Sequence, residues 1–449
     1  MAGIFSEIAE FIDRNDSLEA LPSEVAARSK DMLVNAAAVG LAGAAQPQGI
    51  AITRFAQEMG GNGKCTIMGM GLRTSPVYAA LANATMVRLL DFDDEIPARN
   101  CHPGSFIYPV VMALGEMNGS SGPAVLVAFS LGCEVVSKLS GSPSGGGYPI
   151  QYRQGMAGTL GAAAAAASLL GMDRAQSEAA LALAGGQVGP ELANLASSTT
   201  ALHHGRSAMN GLMAALLARD GFAGPADDGG LIQGRPPARG LIDEDSIIAR
   251  LGDPYDVIQP GVALKLYPCH LASHTTIDAA LQLLEQYRLD SQQVESVRVS
   301  VAPAAFQSLP YSNPKNPWEA RASLQYVVAT ALLYGPPLLD QFTDTAVSDN
   351  RVRDMMDRIT VDATEVPTPL IPNPSTVAVT LTGGRQLQHR VEFARGHPAL
   401  PLDTEELDAK FLYCSRYILP PDHIEGAIHQ FRDLENIADV TGLASILGG

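Results

Sequence analysis

The 449-residue chain is expected to be mainly α, with a large all-helical domain and a smaller α+β domain. Three observations predict this. Apolar residues recur at three- and four-residue spacing almost throughout from Ser6 to about Gly221. After Pro254 the character changes, and the stretches 294–301 and 376–382 alternate apolar and polar residues with period two. From Asp403 the helical spacing returns. A chain of this length exceeds one ordinary core, so two domains are expected. The boundaries place the helical domain at 1–262 and 399–449, discontinuous in sequence, and the smaller domain at 263–398.

In order, residues 21–42 set Val25, Met32, Leu33, Ala36 and Val39 at helical spacing, with Pro22 in the first turn. Segments 77–90, 106–117, 124–139, 159–170, 175–185 and 205–217 repeat the pattern, punctuated by Gly, Pro and Asn. The alanine run 162–167 lets neighbouring helices approach closely, which suits a compact bundle. In the smaller domain, 358–362 reads as a further strand, and Gly383-Gly384 as a turn before a strand at 386–393, which predicts an antiparallel sheet. A helix is expected at 318–333. Helices at 404–413 and 421–436 return the chain to the helical domain.

Composition narrows the function. With 46% apolar residues the chain can fill both cores. A net charge of -17, with no run among the 30 basic residues, excludes a nucleic-acid surface, which needs clustered cations to neutralise phosphates. A small anionic substrate remains compatible if a local basic pocket receives it. The N-terminal residues lack the basic and apolar regions of a secretory signal, and 155–172, rich in Ala and Gly, reads as a core helix rather than a membrane span. Five cysteines at wide, irregular spacing predict reduced thiols and a cytoplasmic protein. Cys101-His102 and Cys269-His270 are poor chelates, so no metal centre is expected. A Walker loop, GxGxxG after a strand and GxSxG are all missing, which counts against nucleotide enzymes and serine hydrolases.

Five polar constellations interrupt the apolar pattern. The densest runs from Asp91-Phe-Asp-Asp-Glu95 through Arg99 to His102-Pro-Gly-Ser105, a short charged loop between two apolar segments, where a rigid scaffold presents side chains to a pocket. Its plain alternative is an acidic turn with a histidine capping the next helix. Lys265-Leu-Tyr-Pro-Cys-His270 lies at the domain boundary; there a lysine binds carboxylate or, shielded from water, serves as a base, the alternative being a hinge with a capping histidine. Leu202-His203-His204-Gly-Arg206 can hold an anion at a helix start, with one histidine at most expected to function. Tyr148 to Gly155, including Tyr152, Arg153 and Gln154, reads as an interhelical loop, and Glu319 to Tyr326 as a helix whose tyrosine would ordinarily be core.

Taken in order, Asp91-Phe-Asp-Asp with His102-Pro-Gly-Ser, Gly158-Thr-Leu-Gly-Ala-Ala-Ala-Ala, Leu202-His-His-Gly-Arg with Gly221-Phe-Ala-Gly-Pro, Lys265-Leu-Tyr-Pro-Cys-His and Glu319-Ala-Arg-Ala-Ser-Leu-Gln-Tyr resemble the MmgE/PrpD family over nearly the whole chain. That family includes 2-methylcitrate dehydratase, cis-aconitate decarboxylase and iminodisuccinate epimerase. The resemblance implies a helical domain built from both chain ends, a smaller α+β lid domain, a homodimer, and cofactor-free chemistry on small di- or tricarboxylates. It also implies Asp91, His102, Lys265, His270 and Tyr326 as cleft residues. This chain departs from the family pattern at Glu95, where a threonine is usual, at Tyr152-Arg153-Gln154, where a histidine and a threonine are usual, and at Thr200, where a lysine is usual.

All the family's reactions make or protonate a carbanion beside a carboxylate, which requires cations for the carboxylates and a base at the carbon. The departures favour an isomerase similar to iminodisuccinate epimerase, with Tyr152 and Lys265 as opposed proton carriers and His102 and Asp91 beside them. Arg99, Arg153, His203, His270 and Tyr326 would bind the substrate, the two arginines by bidentate contact with carboxylate. A 2-methylcitrate-type dehydratase, a cis-aconitate-type decarboxylase and a non-catalytic carboxylate-binding protein are the alternatives.

Overall fold

The computed structural model describes residues 3–141, 150–188, 197–222, 247–368 and 372–449, with the side chains of 150–152 outside that set. The chain divides into two compact units. One comprises Met1–Asn194, Ser198–Val262 and Asp403–Gly449, the other Leu195–Ser197 and Ala263–Leu402. The fold is mainly α.

The larger unit contains α1 (Ile4–Arg14), α2 (Ser23–Ala44), α3 (Pro47–Gly60), α4 (Pro76–Arg88), α5 (Pro103–Asn118), α6 (Gly122–Ser140), α7 (Ile150–Leu169), α8 (Arg174–Gly185) and α9 (Ser198–Arg219). Between α3 and α4 lies a short antiparallel hairpin, β1 (Cys65–Ile67) and β2 (Leu72–Thr74), which the helical periodicity did not announce. Starts follow local signals: Ser121 caps α6, Asp173 and Gln176 form a capping box on α8, and Pro sits in the first turn of α3, α4, α5 and α6. α6 is long and apolar enough to cross a membrane by length and composition, but 89% of that window is buried within the protein. α7 begins at Ile150, so the polar segment read as a loop is helical over its described part.

Helices α2, α4, α5, α6, α7 and α9 form the core of this unit, and small residues set their spacing. A methyl group on Gly43 of α2 would come 2.2 Å from the Met86 carbonyl oxygen of α4. Gly43→Ala gains at most about 1 kcal/mol of helix propensity. Against that it forces a backbone oxygen to move, and overpacking costs typically about 1–3 kcal/mol. A net destabilisation of about 1–2 kcal/mol is therefore expected in urea unfolding; an unchanged midpoint would mean that the two helices slide apart freely.

The C-terminal helices Thr404–Ser415 and Pro421–Arg432 pack on α2, and Thr441–Gly448 packs on α5 and β1. Arg432 holds Asp31 of α2 at 3.1 Å and Asp408 at 2.5 Å. Lys410 is buried, with its ammonium 2.6 Å from Asn35 Oδ1, 2.8 Å from the Phe92 carbonyl and 3.8 Å from the Phe92 ring centroid. The last segment of the chain thereby anchors the acidic loop that follows α4.

Among the described residues the smaller unit carries a four-stranded sheet, β3 (Val294–Ser300), β4 (Ile359–Asp362), β5 (Ser375–Leu381) and β6 (Gln386–Val391), in the order β4-β3-β5-β6. Helices His274–Tyr287 and Leu324–Tyr334 pack on them. The expected antiparallel sheet is in fact mixed. β3 runs antiparallel to β5, and β5 to β6, but β3 and β4 are parallel, with Val297 opposite Ile359. A parallel pair needs a long crossover, and the helical segment between β3 and β4 supplies it. Period two is strict only from Val297 onward: a register shift between Val294 and Ser296 leaves Glu295 and Ser296 both exposed.

Candidate active site

In the larger unit α4 ends on Arg88, and the chain reverses through Asp91, whose φ of 51° is left-handed, before running to His102 at the start of α5. Arg88 Nη1 is 2.8 Å from Asp91 Oδ1 and 3.2 Å from Asp93 Oδ1. Burial opposes the charge on this guanidinium, but the carboxylates of Asp93 and Asp91 outweigh it and its pKa is raised.

His102 is buried at the N-cap position of α5, and its side chain caps nothing. Its Nδ1 lies 2.9 Å from the Asp94 carbonyl oxygen and 3.4 Å from Asp93 Oδ2. A carbonyl only accepts, so Nδ1 carries the hydrogen in this pairing and Nε2 presents its lone pair, 3.4 Å from Arg88 Nη2. Both ring nitrogens are thereby paired, Nδ1 with a backbone carbonyl and Nε2 with a fixed cation. Asp94 lends its own carboxylate to α5: Oδ2 accepts the Gly104 N–H at 2.9 Å. Burial, and then the neighbouring Asp93 charge, push the Asp94 carboxyl up to about 6. Its Oδ1 has no hydrogen-bond partner among the described residues, and a methyl on Gly104 would come 2.1 Å from it, so only glycine fits there.

A second histidine joins this group. His204 of α9 is fully buried, its Nδ1 2.7 Å from Ser105 Oγ, and its ring is stacked on Phe106 at 4.0 Å. Ser105 Oγ also lies 2.7 Å from the His102 carbonyl and donates to it, so His204 Nδ1–H is the donor to Ser105. The two imidazole centroids are 6.1 Å apart. Burial, followed by the charges of Arg88 and His102, holds the His204 pKa well below its ordinary value, so this ring is neutral. Sequence reading chose His203 instead. His203 is half-buried and lines a small polar pocket with Thr159, Gln187, Arg206 and Asn210. The signal that separates them is helical phase: Ala201, His204, Ala208, Leu212 and Ala215 form the buried stripe of α9, and His203 is a step off it.

Arg88 was missed too, although its spacing of three from Asp91 is a local cue. Arg99, expected to clamp a substrate carboxylate, is instead committed to Asp256, with Nε 2.7 Å from Oδ2 and Nη2 3.1 Å from Oδ1. Arg153 is half-buried in the first turns of α7. The side chain of Tyr152, the expected proton carrier, lies outside the described residues.

In the smaller unit Lys265 is 1% exposed, so the segment is no surface hinge, although the capping histidine of that alternative is present. Two residues on, the Tyr267 hydroxyl donates to Asp278 Oδ1 at 2.6 Å, and Asp278 Oδ2 accepts the Arg395 N–H at 2.8 Å, which fixes the Lys265–Tyr267 segment to the helix His274–Tyr287. His270 caps the turn Leu271–Ser273, its Nδ1 accepting the Ala272 N–H at 3.2 Å. Tyr326 is corrected from substrate ligand to core: it is fully buried, its hydroxyl donates to the Gln341 carbonyl, and burial pushes its pKa up to about 12. The helix Leu324–Tyr334 is apolar and buried along its first turns, and Thr330 of the same helix adds a side-chain hydrogen bond to the Tyr326 hydroxyl.

Comparison with known proteins agrees with the motif order. Residues 6–228 match the model of the MmgE/PrpD N-terminal domain and residues 267–435 that of the MmgE/PrpD C-terminal domain. Cis-aconitate decarboxylase of Mus musculus is 30% identical over 440 residues, covering 94% of this chain and 89% of that protein. Cis-aconitate decarboxylase of Homo sapiens is 28% identical over 446 residues, covering 96% and 91%. The cis-aconitate decarboxylase-like protein oryM of Aspergillus oryzae is 25% identical over 459 residues, covering 96% and 94%. With both domain models matched in order along the chain, this protein belongs to the MmgE/PrpD family.

Proposed function

We propose that the protein is a lyase that removes CO2 from a small unsaturated tricarboxylate of the cis-aconitate kind. The observation that carries the reading is His102, a buried imidazole held through Nδ1 by the Asp94 carbonyl, with Nε2 on the Arg88 guanidinium. The names of the similar proteins support a lyase over the isomerase expected from the sequence. In such a substrate the departing carboxylate sits on a carbon next to a double bond. As the C–C bond breaks, its electron pair enters the allyl system, the double bond shifts, and a proton is delivered to the far carbon. His102 is the candidate donor, and Arg88 with Asp91 and Asp93 sets the field around it.

A second reading, epimerisation next to a carboxylate, rests on Tyr152-Arg153-Gln154 and Thr200, where the chain departs from the family pattern. Proton NMR in D2O with cis-aconitate, a 2-methylcitrate-type hydroxy acid and one enantiomer of iminodisuccinate separates the outcomes. Decarboxylation gives a product one carbon shorter with one deuterium, and CO2. Exchange at an α-carbon with the skeleton intact and loss of optical rotation would replace the lyase with the isomerase, and loss of water would make the protein a dehydratase.

A further inference from the structure

Behind the His102 loop lies a second buried charge cluster with no part in the chemistry just described. Glu134, Ser137 and Lys138 project from α6 and meet the segment 252–256. Asp256 receives four side-chain donors: Arg99 Nε and Nη2 at 2.7 and 3.1 Å, Ser137 Oγ at 2.7 Å and Lys138 Nζ at 2.7 Å. Lys138 also reaches the Pro254 carbonyl at 2.9 Å and Glu134 at 3.3 Å. Glu134 accepts the backbone N–H of Gly252 and of Asp256, at 2.9 and 2.8 Å. Two carboxylates and two cations thus close a fully bonded network, the condition under which buried charges are tolerated.

Arg99 is where this network touches the candidate site. It sits in a tight turn, with the Ile96 N–H on the Cys101 carbonyl at 2.9 Å and the Arg99 N–H on the Ile96 carbonyl at 3.0 Å. His102 is the next residue after that turn. The Arg99 side chain lies along the end of α6, where a methyl on Gly141 would come 2.2 Å from its Cδ. On the other side of the turn, the Asn100 carbonyl accepts Gln154 Nε2 of α7 at 2.5 Å. Displacement of Arg99 therefore moves the backbone that carries His102, and with it the turn's contact to the first turns of α7.

We propose that Asp256 is a positioning residue for the reaction: by gripping Arg99 it holds the Ile96–Cys101 turn, and through it His102, in register with Asp93, Asp94 and Arg88. The catalytic arm of this proposal rests on the lyase reading, and its structural arm does not. The test compares Asp256→Asn and Arg99→Lys with the native protein and with Arg174→Gln, which removes an exposed two-carboxylate ion pair of the same unit, with Glu10 and Glu178. Histidine ring nitrogens are followed by 15N NMR without substrate, and kcat and KM with cis-aconitate. Expected in both cluster variants are a shifted or doubled His102 Nδ1 signal and a fall in kcat of about a hundred-fold, the scale of a misplacement near 1 Å, with KM changed far less. Arg174→Gln should leave the His102 signal and kcat as native. If Asp256→Asn does not fold, Arg99→Lys decides, because it leaves Asp256 bonded to Lys138 and Ser137. Native His102 signals in a folded cluster variant would overturn the proposal. If the native protein does not turn over cis-aconitate, the lyase reading fails and the NMR arm still decides the positioning role.

Discussion

His102→Asn is expected to lower kcat/KM for the decarboxylated substrate by about 100- to 10,000-fold, the range a positioned acid–base group contributes. Asparagine is the informative replacement. Its Nδ2 can keep the hydrogen bond to the Asp94 carbonyl that His102 Nδ1 makes at 2.9 Å, so the start of α5 stays anchored while the titratable ring nitrogen Nε2 is lost. Unfolding in urea should remain close to native. A variant that folds normally and turns over at the native rate would remove His102 from the chemistry. In that case attention moves to His204, the second buried imidazole, 6.1 Å away.

Asp94→Asn is expected to stabilise the protein by about 3 kcal/mol at pH 7.5 and by almost nothing at pH 4, a rare sign for a buried substitution. The Asp94 carboxyl is raised from 3.8 to about 6 by burial and then by Asp93. Between those two values the folded protein holds a proton that the unfolded chain has released. Stability therefore falls as pH rises through this window, and the penalty is complete above pH 6 and absent below 3.8. Asparagine never pays it, while its side-chain oxygen can still accept the Gly104 N–H. Urea unfolding of both forms between pH 4 and 8 tests this, and a stability difference independent of pH would show Asp94 to be an ordinary carboxylate. A carboxyl held at a cost next to the oriented imidazole is the pattern expected of a functional site.

The acidic stretch from Asp91 to His102 was legible because charge so dense between two apolar helices has few places to go. The helices were legible because burial imposes a period that local sequence carries: predicted segments 77–90 and 124–139 correspond to Pro76–Arg88 and Gly122–Ser140. Family membership was legible for a different reason, the order of motifs along the chain. The sheet shows where such reading stops. Alternation identified the strands at 294–300 and 375–381, but strand direction depends on how the chain returns, so the parallel pairing of β3 with β4 was not available to it.

Side-chain partners were decided by tertiary structure alone. Arg99 and Asp256 are 157 residues apart, and no local pattern reveals that the cation expected for a substrate is already spent on a carboxylate. Lys410 reaches Phe92 over 318 residues for the same reason. Tyr326 shares its motif with candidate site residues, yet the hydroxyl is consumed by the Gln341 carbonyl. Between His203 and His204, one step of about 100° around α9 separates a half-buried ring from one packed on Phe106 and bonded to Ser105. The sequence by itself determined which residue types were available and where along the chain they cluster. Tertiary structure decided which of them were left for chemistry, because hydrogen bonds and ion pairs are exclusive, and the partner that claims each donor is supplied by a distant part of the chain.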